Sequence, residues 1–562
     1  MCATPAALAQ DPLSEPLPSV LPLARLNGAN GFLMAGPRGN FAEELAPAGD
    51  LNGDGIDDLV LSAWTSNTVY VLFGLDTPAG GGAFPTPIDL TELDPGESLR
   101  LDGDVSEFAG CSVAGVGDIN GDGIDDLAIG ARAALVDGEF QAGVAYVVFG
   151  RDASGGNPFP ATIELRNLDG TDGFRVEGFG RFHLAGDAVA PAGDLNNDGF
   201  DDVAIGAPGA LSAFVVFGRD TSASGPFPAV RSLSTLDGTD GVRFVGDRGR
   251  PGSTLAALGD INGDGTDDLA IGDPFARDPD AGYVGETIVV FGRDAAAGGF
   301  GARVELATLR DAEHVRLPGF DGLSGLGLAG GGDVNGDGLN DLAIGDPYVS
   351  EGPGLFGGET YLIYGSRDLG GTIELGTLEP PDGVRMRGGQ ARLYSGAALA
   401  MADLNGDGLD DLAIGAPGTL LPPYSYGRTG RSYVVFGRSD LPAQLDLFGY
   451  VDPETGVVLT GVGPDDRSGQ ALAAAGDVNA DGRPDLLVGA PGASSDTGEA
   501  YLVYGRSCRA DLDGDGELTI FDFLAFQNLF DAGSSRADFD GDGELTIFDF
   551  LAFQNAFDAG CA

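Results

Sequence analysis

One acidic pattern recurs seven times along the chain, and its residue types suit a metal ion. In residues 118 to 126, DINGDGIDD, oxygen-bearing side chains stand at positions one, three, five and nine, as Asp118, Asn120, Asp122 and Asp126. Calcium takes about six to eight oxygen ligands, and alternating side chains on a tightly curled loop all point inward. Glycine at position six allows the sharp turn, and the main-chain carbonyl of position seven supplies a further oxygen. The spacing therefore predicts a calcium site.

We number these acidic loops 1 to 7 in chain order. Their predicted ligands are Asp50, Asn52, Asp54, Ile56, Asp58; Asp118, Asn120, Asp122, Ile124, Asp126; Asp194, Asn196, Asp198, Phe200, Asp202; Asp260, Asn262, Asp264, Thr266, Asp268; Asp333, Asn335, Asp337, Leu339, Asp341; Asp403, Asn405, Asp407, Leu409, Asp411; and Asp477, Asn479, Asp481, Arg483, Asp485. Loop 7 is the least regular, because Arg483 and Pro484 fall within it.

An alternative interpretation is that each loop is a turn without metal, since Asn, Asp and Gly are common turn formers. Retention of Asp at positions one, five and nine in all seven loops favours calcium. Three carboxylates within a few ångströms repel one another, so a bound cation would stabilise the folded state. Magnesium suits these loops less well, because it prefers a rigid octahedron and keeps several waters.

The loops are spaced at intervals of 68, 76, 66, 73, 70 and 74 residues. Around each loop the order is the same: a strand of small residues, the loop, an apolar run, a variable turn and an aromatic strand. Apolar runs of strand length between Gly and Asp turns predict antiparallel sheets of about four strands. Seven such sheets arranged radially make an all-β, seven-bladed β-propeller.

The register of the repeat predicts how the ring closes. The last copy ends at EAYLVYG, residues 499 to 505, without the outer strand that the other copies possess. The missing strand matches LNGANGFLMAG, residues 26 to 36, before loop 1. We therefore expect residues 31 to 36 to pair beside residues 499 to 505, so that no blade keeps a bare edge.

Short motifs around the loops carry a family resemblance over residues 23 to 505. They are the pairs Phe73-Gly74, Phe149-Gly150, Phe217-Gly218, Phe291-Gly292 and Phe436-Gly437, and the GAP triplets at 206 to 208, 415 to 417 and 489 to 491. The region resembles the FG-GAP repeats of the integrin α-subunit head. The resemblance implies a propeller with calcium in its blade loops, serving as a binding or adhesive platform. Integrin heads carry the loop only in some blades, so calcium here is expected to be chiefly structural.

Residues 506 to 562 contain a second kind of acidic loop, in two copies 27 residues apart. Each copy fits the twelve-position pattern of an EF-hand and precedes an aromatic helical segment. The predicted ligands are Asp511, Asp513, Asp515, Glu517, Thr519 and Asp522, then Asp538, Asp540, Asp542, Glu544, Thr546 and Asp549. With seven blade loops and two tail loops, the chain is predicted to bind up to nine calcium ions.

This tail resembles the dockerin module, which implies a small α-helical calcium-binding unit that docks onto a cohesin-like domain of a scaffold or surface protein. Loop positions ten and eleven hold Ile520, Phe521, Ile547 and Phe548, where many dockerins carry small or polar residues. The identity of the partner is therefore open. Both a core role and an exposed docking patch fit these four side chains.

The termini and cysteines suggest an exported protein. Residues 1 to 22 are interpreted as the remnant of an export signal and a Pro-rich tether, with an ordinary terminus as the alternative. Cys508 and Cys561 bracket the tail and could form a disulfide in an oxidising compartment, or remain two thiols. Cys111 lies in a strand of small residues and is expected to be a buried thiol.

Composition excludes several classes of function. The formal charge of −56 disfavours nucleic acid, whose phosphates the surface would repel. The chain contains no run of about 18 apolar residues, so no membrane span is predicted. His183 and His314 are the only histidines, so the chain has few of the side chains that a histidine triad or a zinc centre needs.

These observations together predict a secreted or cell-surface, calcium-binding and non-enzymatic propeller that is monomeric. It would bind an unknown protein or glycan and attach to a cohesin-like or surface protein through its tail. Two alternatives stay open: a secreted hydrolase with a carboxylate pair in the variable loops at 131 to 143, 274 to 287 or 418 to 432, and a propeller that only spaces the tail.

Overall fold

The computed structural model of the chain describes residues 20–28, 30–37, 40–75, 86–94, 96–279, 282–320, 322–349, 356–389, 392–418, 429–451, 455–505, 520–531, 537 and 545–559. The described strands join into seven five-stranded sheets and a two-stranded hairpin of Arg277–Asp278 with Gly282–Tyr283. In each large sheet, four strands run antiparallel and a fifth joins one edge in parallel. These sheets are the blades of a seven-bladed β-propeller, so the predicted propeller is confirmed, while the dockerin-like assignment of the tail stays a prediction.

We name the four antiparallel strands of each blade A to D. The A strands of neighbouring blades contact one another around the whole ring, so they line the central axis and D lies outside. In the order A to D, blade 1 contains Leu45–Gly49, Asp58–Ala63, Thr68–Leu72 and Ser98–Asp102. Blade 2 contains Ser112–Gly115, Leu127–Ala131, Val144–Val148 and Gly173–Glu177, and blade 3 contains Val189–Gly193, Asp202–Ala207, Ser212–Val216 and Gly241–Val245. Blades 4 and 5 contain Thr254–Gly259, Asp268–Asp273, Glu286–Val290 and His314–Pro318; Gly327–Gly332, Asp341–Asp346, Glu359–Ile363 and Gly383–Arg387. Blades 6 and 7 contain Leu399–Ala402, Asp411–Ala416, Arg431–Val435 and Gly456–Thr460; Ala471–Gly476, Asp485–Ala490, Glu499–Val503 and Gly31–Ala35.

The fifth strand of each blade comes from the next repeat, which the sequence did not reveal. The segment linking strands C and D of blade 2 contains Thr162–Glu164, and this strand pairs in parallel with Ser98–Asp102 of blade 1. The equivalent strands, from blade 2 to blade 7, are Val230–Ser232, Arg303–Glu305, Gly371–Thr372, Gln444–Asp446, Val20–Pro22 and Ile88–Asp89. Each covers an outer edge that would otherwise present unpaired N–H and C=O groups.

Both ends of the propeller sequence take part in closing the ring. Gly31–Ala35 pairs antiparallel with Glu499–Val503, in agreement with the pairing predicted from the sequence. Val20–Pro22, which we assigned to the tether, instead forms the fifth strand of blade 6. The reason is apolar burial, because Leu21 and Leu23 are buried at the interface of blades 6 and 7. The signal-like residues 1 to 19 lie outside the described residues.

The apolar core is divided among the blade interfaces. Seven clusters of buried hydrophobic residues each combine side chains from two neighbouring blades. Strands B and C are buried on both faces, as Leu59, Val60 and Leu61 illustrate in blade 1. Each blade is therefore stabilised by its neighbours, as in other repeat architectures.

Short helical turns connect the strands. They are Leu23–Arg25, Trp64–Ser66, Leu165–Asn167, Pro208–Ala210, Thr221–Ser224, Leu233–Thr235, Ala295–Ala297, Leu306–Thr308, Leu375–Thr377, Leu447–Tyr450 and Ala493–Asp496. Among the described residues, no helix is long and apolar enough to cross a membrane.

The tail contains two helices, Ile520–Asp531 and Ile547–Ala559. Their aromatic side chains form a separate core, in which the rings of Phe526 and Phe553 stack with centroids 4.6 Å apart. Leu524, Ile547 and Leu551 are exposed on these helices. Of the four residues at positions ten and eleven, Ile547 is thus not part of this core.

Candidate metal centre

The first carboxylate of every blade loop organises the loop backbone. Asp50 accepts hydrogen bonds from the N–H groups of Asp54 and Gly55, at 2.9 and 2.8 Å. The same two bonds, from positions five and six to position one, occur in all seven loops. Glycine is needed at position six for its backbone, because Gly55 has φ +90° while a Cβ there would meet nothing within 4 Å.

The ninth-position carboxylate joins the loop to the phenylalanine-glycine pair. Asp58 is fully buried, and its Oδ1 accepts the N–H of Gly74 at 2.8 Å. Its Oδ2 accepts the N–H of Leu51 at 3.1 Å. Both bonds recur in the other six blades. Blades 5 and 7 keep the glycine, as Gly365 and Gly505, although tyrosine replaces the phenylalanine.

Burial makes the ninth-position carboxylates costly to ionise. It raises the pKa of Asp58 and Asp268 to about 8, and that of Asp341 to about 7. The carboxylates at positions one and five raise these pKa values further, while the glycine N–H lowers them. A cation between these groups would favour the ionised form, because an opposite charge offsets both burial and repulsion.

The third-position asparagine supplies an oxygen without a partner in two loops. The side-chain oxygens of Asn52 and Asn196 are buried and accept no hydrogen bond within the described structure. In loop 1 the Asn52 amide group points its nitrogen toward Asp58 Oδ1, at 3.5 Å. A buried carbonyl oxygen left over in this way is the kind of ligand that calcium takes.

The structure therefore fits a hard cation without presenting a preformed cage. No group of three His, Cys, Asp or Glu side chains in the described part of the chain is close enough to be recognised as a metal cluster. Each ionised carboxylate has about four lone-pair sites, so Asp50 retains acceptor capacity after its two N–H bonds. Positions one, three, five and nine are the residues that would hold the ion, and calcium would neutralise their charge. Turns without metal would use the same bonds, so the ligand assignment stays a prediction.

Position seven packs across the blade boundary. Its side chain approaches the glycine of the phenylalanine-glycine pair, since a Cβ on Gly150 would lie 2.5 Å from Ile124 Cγ2. The same side chain faces loop 1, because a Cβ on Gly53 would lie 3.5 Å from Ile124 Cδ1. The Ile124 side chain is half-buried between loop 1 and Gly150.

The eighth-position aspartate makes a contact between blades that sequence reasoning missed. Asp125 of blade 2 accepts the N–H of Asp50 in loop 1 through Oδ2, at 2.9 Å. Equivalent bonds run from Asp118 to Asp201, from Asp194 to Asp267, from Asp333 to Asp410 and from Asp477 to Asp57. The last of these bonds joins blade 7 to blade 1. The Asp-Asp doublet that ends most loops was the available signal.

Most of the predicted tail ligands cannot be placed. Asp511, Asp513, Asp515, Glu517, Thr519, Asp538, Asp540, Asp542 and Glu544, the Asp522 side chain, and Cys2, Cys508 and Cys561 lie outside the described residues. Asp549 is fully buried and accepts the N–H of Thr546 at 2.6 Å. Cys111 is a buried free thiol, as expected, and burial raises its pKa to about 12.

A cavity of about 280 Å³ opens at the axis, where the A strands begin. The acidic loops follow the A strands, so this mouth belongs to the opposite face. Glu44 and Asp187 line it, and Asp187 pairs with Arg132 at 3.0 Å. The pKa of the half-buried Glu44 carboxyl is raised to about 8. Burial is the largest cause, and the charge of the neighbouring Glu43 is the second.

Comparison with known proteins connects this geometry with a repeat family. The FG-GAP repeat family matches residues 112–148, 185–222, 251–285, 395–435 and 468–503, within blades 2, 3, 4, 6 and 7. Blades 1 and 5 show the same loop bonds.

Relatives with longer chains share parts of the sequence. The chain is 35% identical over 179 residues to phosphatidylinositol-glycan-specific phospholipase D of Bos taurus, covering 31% of this chain and 20% of that protein. It is 36% identical over 168 residues to integrin alpha-PS5 of Drosophila melanogaster, covering 28% and 14%. It is 28% identical over 270 residues to integrin alpha-5 of Xenopus laevis, covering 47% and 21%. The chain thus spans about a fifth or less of each relative's length. The matched segments show that the propeller contains FG-GAP repeats, in five of its seven blades.

Proposed function

We propose that the chain is an exported, calcium-loaded and non-enzymatic propeller that displays a binding surface and is attached to an assembly through its tail. The observation that carries the calcium assignment is the loop itself, which recurs seven times with the same carboxylate geometry and ends in a buried Asp. Similarity to integrin α-chains supports a binding role, because the shared part is the propeller.

The histidine environments support the non-enzymatic assignment. His314 is buried, and its Nδ1 lies 2.9 Å from the Arg310 carbonyl oxygen. The ring of His183 packs edge-on against Phe179 at 4.5 Å, and partial burial lowers its pKa. Both rings therefore contribute to packing, and neither of these two contacts involves a nucleophilic side chain.

The tail supports attachment to a protein partner of the cohesin type. Leu524 and Leu551 occupy equivalent positions in the two tail helices, and both are about half exposed, at 49% and 46%. Ile547 is 64% exposed, which favours a docking patch over a core role for this residue. Apolar side chains displayed on both helices suit an interface that is buried on binding.

The second candidate is a secreted hydrolase, favoured by the similarity to phosphatidylinositol-glycan-specific phospholipase D. One of the three suggested loops, residues 274 to 287, contains Glu286. There the Arg316 guanidinium binds both Glu286 oxygens, at 2.8 and 2.7 Å. A carboxylate held in this way is suited to stabilising blade 4 rather than to proton transfer.

Two experiments on the full chain separate these functions. The first is a glycan and protein array probed with and without calcium, for which we expect calcium-dependent binding without turnover. The second is a hydrolase panel that includes glycosylphosphatidylinositol substrates, and turnover there would replace the binding assignment. A pull-down with the Leu524→Asp, Leu551→Asp double variant tests attachment, because loss of surface capture is expected while the propeller is untouched.

A further inference from the structure

The eighth-position aspartates, introduced above, divide the acidic loops into two classes. Loops 1, 2, 3, 5 and 7 each donate their first N–H to an aspartate of the following blade, at 2.7 to 2.9 Å. For loop 4 the equivalent residue is Asn340, and for loop 6 it is Pro484. No hydrogen bond from Asp260 or Asp403 N–H to these residues occurs in the described structure. We call the two classes the pinned loops and the unpinned loops.

The residue before the loop is a glycine that leaves space for the pin in loops 1, 2, 3 and 7, and unpinned loop 4 keeps the same conformation at Gly259, opposite Asn340. Gly49 has φ +67°, and a Cβ there would lie 2.2 Å from Asp125 Oδ2. Gly117, Gly193 and Gly476 have the same conformation and would meet Asp201, Asp267 and Asp57 in the same way. Blade 6 has Ala402 at this position, opposite Pro484. A side chain is thus tolerated at the blade where no pin needs the space.

Strand pairing before the loop does not follow this division: unpinned blade 4 has the same register shift as pinned blades 1, 3, 5 and 7, and pinned blade 2 shows no shift within its paired residues. In blade 1 the register of strands A and B shifts between Pro47 and Gly49, as it does at the same place in blades 3, 4, 5 and 7. In blade 6 the pairing continues without a shift to Ala402 and Asp411. A bulge of this kind re-aims the backbone that follows it. Because it also occurs in blade 4, the bulge does not by itself direct the position-one N–H toward the next blade, and the residue at position eight of that blade is the feature that separates the two classes.

The pinned N–H belongs to the residue whose carboxylate holds the loop. Asp50 donates its N–H to Asp125 and accepts two N–H groups from its own loop. The pin fixes the backbone of this residue and brings a further negative charge from the next blade. Both effects favour a cation in the loop, because the ligand is preorganised and the local field is more negative.

We propose that the eighth-position aspartates are positioning residues for cation binding, and that the pinned loops bind calcium more tightly than loops 4 and 6. This inference rests on the proposed calcium function and specifies how it is regulated. Ion binding in a pinned loop depends on a residue of the next blade, so occupancy of loops 7, 1, 2 and 3 is coupled to the packing of blades 1 to 4.

The test is a calcium titration of the full chain, followed by hydrogen exchange of the peptides that contain each loop. In the natural chain, we expect the peptides of loops 4 and 6 to gain protection at about tenfold higher free calcium than the pinned loops. This difference is of the order of one hydrogen bond to a charged acceptor.

Substitutions that affect a pinned loop and an unpinned loop sharpen the test. Asp125→Ala is expected to raise the calcium midpoint of loop 1 about tenfold and to leave loop 5 unchanged. Asp125→Asn keeps an acceptor and is expected to restore part of the loss. The matched control is Asp152→Ala, which removes an equal charge from a residue that adjoins loop 1 at Gly53 but bonds only within its own turn. Asn340→Asp is expected to lower the midpoint of loop 4.

The outcomes distinguish this inference from the calcium function. Equal midpoints in all seven loops, or equal effects of Asp125→Ala and Asp152→Ala on loop 1, would overturn the pinning role while leaving calcium binding in place. A chain whose loops show no calcium-dependent protection would remove both proposals.

Discussion

At the scale of the residue, the recurrent motif is explained by one hydrogen-bond set. The buried ninth-position Asp needs donors, and the glycine after the aromatic strand provides one because its backbone approaches closely. A Cβ on Gly150 would lie 2.4 Å from the Asp125 carbonyl oxygen and 2.5 Å from Ile124 Cγ2. Glycine is therefore required by space, and the phenylalanine beside it is replaceable by tyrosine.

Gly150→Ala is expected to lower the free energy of unfolding by about 1–3 kcal/mol, because the added methyl displaces the loop backbone. Gly301→Ala is the matched control, since a Cβ there meets nothing within 4 Å. Chemical denaturation in saturating calcium measures both changes. Equal stability of the two variants would contradict the space requirement.

Glu44 gives the axis a pH dependence that does not involve the acidic loops. Its folded pKa of about 8 exceeds the ordinary value of 4.5, so ionising this carboxyl costs more in the folded state. The penalty is absent below pH 4.5, grows as the pH rises and is complete above about pH 8.

Glu44→Gln is therefore expected to stabilise the protein by about 1–3 kcal/mol at pH 9, a range reduced for the solvent that reaches this half-buried group. The gain should shrink as the pH falls toward 4.5, the ordinary value of the carboxyl. Thermal unfolding between pH 5 and pH 9 checks the slope. A gain that does not vary with pH would show that Glu44 is not the titrating group.

At the scale of the element, the order of strands within a repeat could be predicted from the sequence. The exchange of the fifth strand between neighbouring repeats could not. Apolar runs such as residues 126 to 131 predict strands locally. The partner of Thr162–Glu164 is set by parallel pairing with the preceding blade, which no local pattern encodes. Similarly, Asp125 and Asp126 are residues of the same type, so the sequence does not distinguish their roles. Neighbouring residues point in opposite directions, so one reaches blade 1 and the other is buried in blade 2.

The fifth strand of blade 5 provides a test of this exchange. Leu445 is buried in the interface of blades 5 and 6, while Gln444 is exposed on the same strand. Leu445→Ala is expected to cost about 2–4 kcal/mol of stability, and Gln444→Ala less than about 0.5 kcal/mol. Denaturant unfolding compares the two, and a mild Leu445→Ala would argue that the exchanged strand contributes little.

At the scale of the whole molecule, the chain termini of the propeller close the ring. Gly31–Ala35 supplies the D strand of blade 7, and Val20–Pro22 covers the D strand of blade 6. The closing strand was predictable, because residues 26 to 36 repeat the sequence that precedes the later loops. The role of residues 20 to 22 was hidden by their proline-rich context.

Two truncations test the closure. Removal of residues 1–36 is expected to expose the edge of Glu499–Val503 and to cause aggregation or loss of cooperative unfolding. Removal of residues 1–19 keeps both closing strands and serves as the control. Size-exclusion chromatography and thermal unfolding distinguish them, and similar behaviour of the two truncated chains would contradict closure by these strands.

The central claim is that calcium in the blade loops stabilises the ring, and the melting temperature as a function of free calcium tests it most directly. Each site filled to about 100 times its Kd adds about 2.7 kcal/mol, so several filled loops should raise the melting temperature by more than about 10 °C over the value in chelator. Magnesium at the same concentration should have a smaller effect, because these loops suit it less well. A melting temperature that is the same in calcium and in chelator would contradict the claim.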